Sequence, residues 1–218
     1  MKALHSISVL VRGAAVALAA ISIAGPAFAH HPLGGALPST FWQGMLSGLA
    51  HPIIELEHFL FLLCAGSAIA LARVMPGQAL ILLFFYAVAG ATGTLWHVPG
   101  GHVPAAELAI AVSLGVIAVV LWNRRVPGQR ALAGLAAGGG FFHGYAYGEA
   151  VIGAETAPVL SYLLGLALIQ TLLMTGTFYI TRRIAGAAPD ALKVATRMLG
   201  ILAVVMALWL VWSQRLLA

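Results

Sequence analysis

Apolar runs of about 20 residues recur along the whole of this 218-residue chain, separated by short segments that contain proline, glycine and charged residues. Each run is long enough to cross the ~30 Å hydrocarbon core of a bilayer as a helix. The pattern therefore predicts an all-α membrane bundle of six transmembrane helices. We expect the spans at 41–72, 77–96, 104–122, 131–150, 158–181 and 191–213. The first is long for one crossing, and Pro52 is a position at which a short leading helix would separate.

The first 29 residues have the pattern of a cleaved signal peptide. A basic start is followed by a short apolar core and by the small-x-small sequence Ala27-Phe28-Ala29. We expect residues 1–29 to be removed and residues 30–218 to form a single membrane domain. An uncleaved first span is the alternative reading of the same segment.

Composition argues against a soluble domain. Hydrophobic residues make up 61% of the chain, charged residues only 8%, and the mean hydropathy is +1.00. The pI near 9.9 would suit a nucleic-acid-binding protein. Because the basic residues fall between apolar runs and not on one polar face, we expect no nucleic-acid partner, and the lipid bilayer is the expected environment.

The distribution of basic residues predicts the orientation in the membrane. If the six spans alternate, eight basic residues share one side and only Arg215 lies on the other. The eight are Arg73, Arg124, Arg125, Arg130, Arg182, Arg183, Lys193 and Arg197. The positive-inside rule places this side in the cytoplasm. We therefore expect both ends of the mature chain outside, in a multi-pass protein of the bacterial inner membrane.

With this topology the histidines and nearly all the acids gather toward the outer half of the membrane, where the first span carries three on one helical face. His51, Glu55 and His58 are spaced i, i+4, i+7. Glu57 points roughly a third of a turn away from His58. A carboxylate within a span needs a partner, a proton or a cation, and imidazole with carboxylate suits divalent transition metals. The alternative is a hydrogen-bond network that only joins helices.

The fourth span combines a glycine stripe with two aromatic polar residues. Gly140, Gly144 and Gly148 follow an i, i+4, i+8 pattern, which favours close approach of a neighbouring helix. His143 and Tyr147 form the adjoining stripe and are expected to point into the same helix contact. Glycine packing with a histidine bonded to a backbone carbonyl is the alternative.

Four further histidines lie outside the spans. After cleavage, His30 and His31 would form the mature N-terminus, where the α-amine and an imidazole can chelate a metal ion together. A disordered tail is the alternative for this segment. His97 and His102 flank a Pro-Gly-Gly loop, where ordinary loop roles are favoured.

These residues resemble the HupE/UreJ family of nickel and cobalt permeases along most of the mature chain. The first-span motif of that family, His-Pro-x-x-Gly-x-Asp-His, is matched here by His51, Pro52, Glu57 and His58. The fourth-span motif is Phe-His-Gly-x-Ala-His-Gly-x-Glu. Its matches are Phe142, His143, Gly144, Ala146 and Gly148.

Four positions depart from the family motifs. Glu55 replaces the motif glycine and Glu57 replaces the motif aspartate. Tyr147 stands at the second histidine of the fourth-span motif, and Glu149 comes one residue before the motif glutamate. The resemblance implies a secondary transporter that takes Ni²⁺ or Co²⁺ from periplasm to cytoplasm, and Cu²⁺ and Zn²⁺ stay open as ions. The expected metal-binding residues are His51, Glu55, Glu57, His58, His143, Tyr147, Glu149, His30 and His31.

Two other functional classes fit the same residues. A membrane metal-binding or assembly factor for a metalloenzyme would hold the ion without transporting it. A haem protein would use His58 and His143 as axial ligands. We expect no enzymatic activity and no covalent cofactor, and the chain has no GxxxxGK[ST] loop for ATP. Homo-oligomer formation is left open.

Overall fold

The computed structural model describes residues 36–217, and this part of the chain consists of seven α-helices and one 3₁₀ turn. The helices are α1 Phe41–Ile54, α2 Leu56–Leu71, α3 Pro76–His97, α4 Ala106–Asn123, α5 Gln129–Gly148, α6 Thr156–Ala187 and α7 Pro189–Leu217. The 3₁₀ turn Glu149–Val151 follows α5. The expected all-α fold is confirmed. The expected signal peptide, 1–29, lies outside the described residues.

The described helices make this chain a multi-pass membrane protein. Four of them, α3, α4, α6 and α7, are long and apolar enough to cross a membrane, and the bent pair of α1 and α2 raises the number to five. Helix α5 has 20 residues but is not among them, because its glycines, His143 and tyrosines lower its hydropathy. Six spans, and the outward position of both termini, stay predictions.

The long first span is divided into two helices. Helices α1 and α2 meet at an angle of 78°. The break falls at Glu55, which has extended backbone (φ −86°, ψ 108°), and not at Pro52, which lies inside α1. The proline removes one backbone donor from the last turn, and the helix ends within one turn of it. Backbone bonds continue on both sides, from Glu55 N–H to the His51 carbonyl and from Phe59 N–H to the Glu55 carbonyl.

Together α1 and α2 follow α6 along its length. Successive residues of the pair face successively later residues of α6, as the two parts of one broken span would. The facing pairs are Gly44 with Pro158, Gly48 with Tyr162, and Gly66 with Met174. Helix α2 is the most buried part of the bundle, with Leu62, Cys64 and Ala68 fully enclosed.

Three side-chain contacts gather the basic loops at one end of the bundle. They join the α2–α3 loop to the end of α6, the start of α3 to the start of α5, and the end of α4 to α7. The contacts are Arg182 to the Val74 carbonyl (3.1 Å), Gln78 to Gln129 (3.5 Å), and the Arg197 guanidinium over the Trp122 ring (5.3 Å). The loops that the positive-inside rule groups together are therefore neighbours in space.

The glycine stripe of the fourth predicted span packs against α3. Gly144 lies against the backbone of Gly90, and a Cβ added there would overlap it. Gly140 faces the backbone of Tyr86, and Gly148 faces the His97 side chain. Close packing through small residues is confirmed, and its partner is the second predicted span, so the adjoining stripe of α5 is left to face the interior.

Candidate metal centre

Three side chains converge at the break between α1 and α2: His51, Glu55 and His58, called here the trio. Nε2 of His51 is 3.0 Å from Oε1 of Glu55, and Nε2 of His58 is 2.8 Å from Oε2. One ligand atom from each lies within 4.8 Å of the other two. All three side chains are buried, with 2%, 8% and 1% exposure. The sequence therefore identified the three residues, but they meet across a broken helix and not along one continuous face.

The break brings the two histidines of the trio together. His51 lies in the last turn of α1 and His58 in the first turn of α2, with Glu55 as the residue between the helices. On an unbroken helix, residues 51 and 58 would be separated by about 10 Å along the axis. In the folded chain the imidazole centroids are 6.1 Å apart. A single ion can therefore be approached by both rings.

His143 lies directly behind His58. Its Nδ1 is 2.7 Å from Nδ1 of His58, and its Nε2 is 3.0 Å from Oγ of Ser113 on α4. Both ring nitrogens are thus engaged by neighbouring side chains, and His143 is outside the trio. The structure brings residues 58 and 143 into contact, in a geometry in which His143 supports the imidazole of His58.

Two tyrosines form the other side of the site. The Tyr162 hydroxyl is 2.9 Å from Nδ1 of His51 and donates to the Tyr147 carbonyl at 2.7 Å. The Tyr147 ring packs on both imidazoles, with centroids 5.1 Å from His51 and 4.3 Å from His58. Tyr147 is therefore a wall of the site, and Tyr162 is the partner of His51.

Phe61 closes the site toward the basic end of the bundle. Its ring packs on His143 with centroids 4.2 Å apart and stacks with Tyr86 at 5.8 Å. Beyond it lies a cavity of about 230 Å³, lined mainly by apolar and small side chains of α2, α4 and α5. Ser113 lies at the wall of this cavity.

Two further predicted ligands, Glu57 and Glu149, are not part of the trio. Glu57 is half-buried on α2 and Glu149 is exposed at the start of the 3₁₀ turn. His97 stacks on Tyr145 with centroids 3.9 Å apart, and its Nδ1 is 2.6 Å from the Tyr145 carbonyl. The other two histidine sites are exposed His102 and the pair His30 and His31, and the pair falls outside the described residues.

Sequence reasoning missed Ser113 and Tyr162. Both lie within apolar runs on α4 and α6, and neither belongs to a motif. The available signal was a hydroxyl group within an apolar span. Such a hydroxyl often bonds only the backbone of its own helix, so it does not by itself indicate a role at a site. Only the packing of α4 and α6 around α2 shows that these hydroxyls reach the histidines.

Two imidazole nitrogens and one carboxylate form a mixed donor set that suits divalent transition metals better than Mg²⁺ or Ca²⁺. Three protein ligands also leave coordination positions for water or a fourth ligand, as in sites that exchange what they bind. Because the three side chains are buried, a charged carboxylate among them costs free energy unless a cation or a proton neutralises it. The trio therefore has the composition and the enclosure of a site for a dication.

Comparison with known proteins adds an independent line of evidence. The sequence profile described as HupE / UreJ protein matches residues 7–210, which is nearly the whole chain. No curated protein and no solved structure matches this chain. Because the profile match covers nearly the whole chain, the chain belongs to the HupE/UreJ family, whose role is related to nickel and cobalt transport.

Proposed function

We propose that this protein is a permease that carries divalent transition-metal ions, Ni²⁺ or Co²⁺ first among them, from the periplasm to the cytoplasm. The family match supports a role in nickel and cobalt handling. The observation that carries the proposal is the convergence of three ligand atoms within 4.8 Å in a buried site among apolar helices. The position of the trio, away from the basic loops that the positive-inside rule assigns to the cytoplasm, supports entry of the ion from the periplasm.

We assign the ion to His51, Glu55 and His58. The motif match favours Glu57 as the acidic ligand, whereas the geometry favours Glu55, because only Glu55 faces both imidazoles. Glu57 comes one residue before His58, and adjacent residues on a helix point about 100° apart. We therefore give the ligand role to Glu55, the residue at which this chain departs from the motif glycine.

The other predicted residues take supporting roles in this proposal. His143 holds His58, and Tyr147 encloses the site with its ring. Glu149 is exposed at the end of α5, where it would attract a cation before entry. His30 and His31 would capture the ion at the mature N-terminus.

A membrane metal-binding or assembly factor is the second candidate, because the trio alone supports binding and not movement. This alternative and transport differ in one respect, which is whether the ion crosses the bilayer. The haem alternative is not supported by the geometry. Nδ1 of His58 and Nδ1 of His143 are 2.7 Å apart, which leaves no room for an iron and a porphyrin plane between them.

The test is metal uptake into proteoliposomes that contain the purified protein, with Ni²⁺, Co²⁺, Zn²⁺ and Cu²⁺ in competition. Transport predicts time-dependent accumulation inside the vesicles and its loss in His58→Ala. The matched control is His102→Ala, which removes an exposed histidine away from the trio and should leave uptake intact. Binding in detergent without accumulation in vesicles would favour the assembly factor. Full uptake by His58→Ala, at equal protein content, would refute the site.

A further inference from the structure

We propose that Ser113 and Tyr162 are positioning residues that fix the protons of the histidine rings, so that Nε2 of both His51 and His58 presents a lone pair to the metal ion. This inference rests on the proposed function, since it concerns how the same site is prepared for its ion. A neutral imidazole carries one proton on either Nδ1 or Nε2, and only the other nitrogen can bind a metal. The hydrogen bond at the far nitrogen therefore decides which nitrogen can be a ligand.

The first chain of bonds ends at His51. The Tyr162 hydroxyl has one proton and donates it to the Tyr147 carbonyl at 2.7 Å. That carbonyl is in the last turn of α5, where carbonyls lack helical partners. The same hydroxyl is 2.9 Å from Nδ1 of His51, so it must accept there. His51 then carries its proton on Nδ1, and its Nε2 lone pair faces Oε1 of Glu55 at 3.0 Å.

The second chain of bonds ends at His58. The Ser113 hydroxyl donates to the Ile110 carbonyl at 2.7 Å, which is shorter than its 3.0 Å contact with Nε2 of His143. Nε2 of His143 therefore donates to Ser113, and its Nδ1 accepts. Because Nδ1 of His58 is 2.7 Å away, His58 carries its proton there. The Nε2 lone pair of His58 then faces Oε2 of Glu55 at 2.8 Å.

Both chains of bonds thus lead to the same place. They begin at carbonyls on different helices, α5 and α4, and each ends with a lone pair that faces the same carboxylate. Two lone pairs and an anion repel one another unless a proton or a metal ion lies among them, and a dication replaces such protons. The described contacts therefore prepare the trio for a dication, and Ser113 and Tyr162 act on it through other residues without touching the ion.

The first experiment measures Ni²⁺ affinity of the full-length protein in detergent by titration calorimetry. Tyr162→Phe should weaken binding by roughly 10- to 100-fold, the usual cost of losing the hydrogen-bond partner of a ligand, and Ser113→Ala, one hydrogen bond further from the ion, by up to roughly 10-fold. Ser113→Thr keeps the hydroxyl, and the cavity beside residue 113 has room for the added methyl group, so affinity should return to near the wild-type value. The matched control is Ser161→Ala. This variant also loses a hydrogen bond from a serine hydroxyl to a carbonyl of its own helix, that of Pro158, but no histidine takes part in it.

The second experiment reads the ring protons directly. In ¹⁵N-histidine spectra of the Zn²⁺-loaded wild-type protein, His51 and His58 should show Nε2 coordination, and His143 should carry its proton on Nε2. Coordination through Nδ1 at either ligand, or a proton on Nδ1 of His143, would overturn the inference. So would wild-type Ni²⁺ affinity in folded Ser113→Ala and Tyr162→Phe. A wild-type protein that binds neither ion would instead defeat the proposed function itself.

Discussion

Replacing Glu55 by glutamine tests the trio most directly, because the change removes a charge with little change in volume. Oε1 and Oε2 of Glu55 face Nε2 of His51 and of His58 at 3.0 and 2.8 Å. The glutamine amide must place its NH₂ group at one of these two positions. There it would donate to an imidazole nitrogen that the ion needs. The substitution therefore removes the anionic ligand and blocks a second one.

The expected loss of Ni²⁺ affinity follows from these two effects. Losing even a supporting partner of a metal ligand costs roughly 10- to 100-fold in affinity. The loss of one ligand and the blocking of another should together cost roughly 100- to 1,000-fold. At about 1.4 kcal/mol for each tenfold, this corresponds to about 2.8–4.2 kcal/mol of binding free energy.

Titration of purified Glu55→Gln with Ni²⁺ checks this value, and Glu57→Gln is the matched control. Glu57 is half-buried two residues further along and outside the trio. Its substitution should change the binding free energy by no more than about 0.5 kcal/mol. If Glu57→Gln loses the affinity and Glu55→Gln keeps it, the reasoning from geometry is refuted and the motif match identifies the correct acid.

Three further predictions concern stability and ion capture. Gly144→Ala should destabilise the fold by about 1–3 kcal/mol, because the new methyl group meets the Gly90 backbone. Gly134→Ala, which meets nothing within 4 Å, should be neutral or stabilising, and melting curves of the two variants distinguish them. Ni²⁺ at 100 times its Kd should raise wild-type stability by about 2.7 kcal/mol, and a melting temperature that does not respond would contradict a folded-state site. Replacing His30 and His31 by alanine should slow uptake at low Ni²⁺ while affinity in detergent is unchanged, and equal loss of affinity would show that they belong to the buried site.

The membrane character and the main chemical groups could be predicted from the sequence, because both depend on local patterns. Apolar runs predicted the helices, and the rarity of charge within them drew attention to His51, Glu55 and His58. We expected His58 and His143 to bind the same ion, and the structure brings their imidazoles into contact. This contact follows from the cost of leaving polar groups alone among apolar helices, which favours their meeting one another.

The position of the break and the outer partners of the histidines could not be predicted. Pro52 marked a weak point, but the helix continues past it and the break falls three residues later, at Glu55. Ser113 and Tyr162 come from helices distant in sequence, and each looks like an ordinary hydroxyl in a span. Their roles depend on how α4 and α6 are rotated about their axes, and a short-range pattern carries no information about that.

The 78° angle between α1 and α2 has a consequence for how the ion and the backbone influence each other. Ligands on one straight helix would keep their spacing when that helix moves. Here His51 and His58 belong to two helices that meet at Glu55, so the distance between their imidazoles changes whenever the angle between the helices changes. Linkage is reciprocal: a change that favours the angle at which both imidazoles reach the ion tightens ion binding, and a bound ion favours that angle by the same free energy. Spin labels on α1 and α2 would therefore report ion binding as a narrowing of the distribution of distances between the labels.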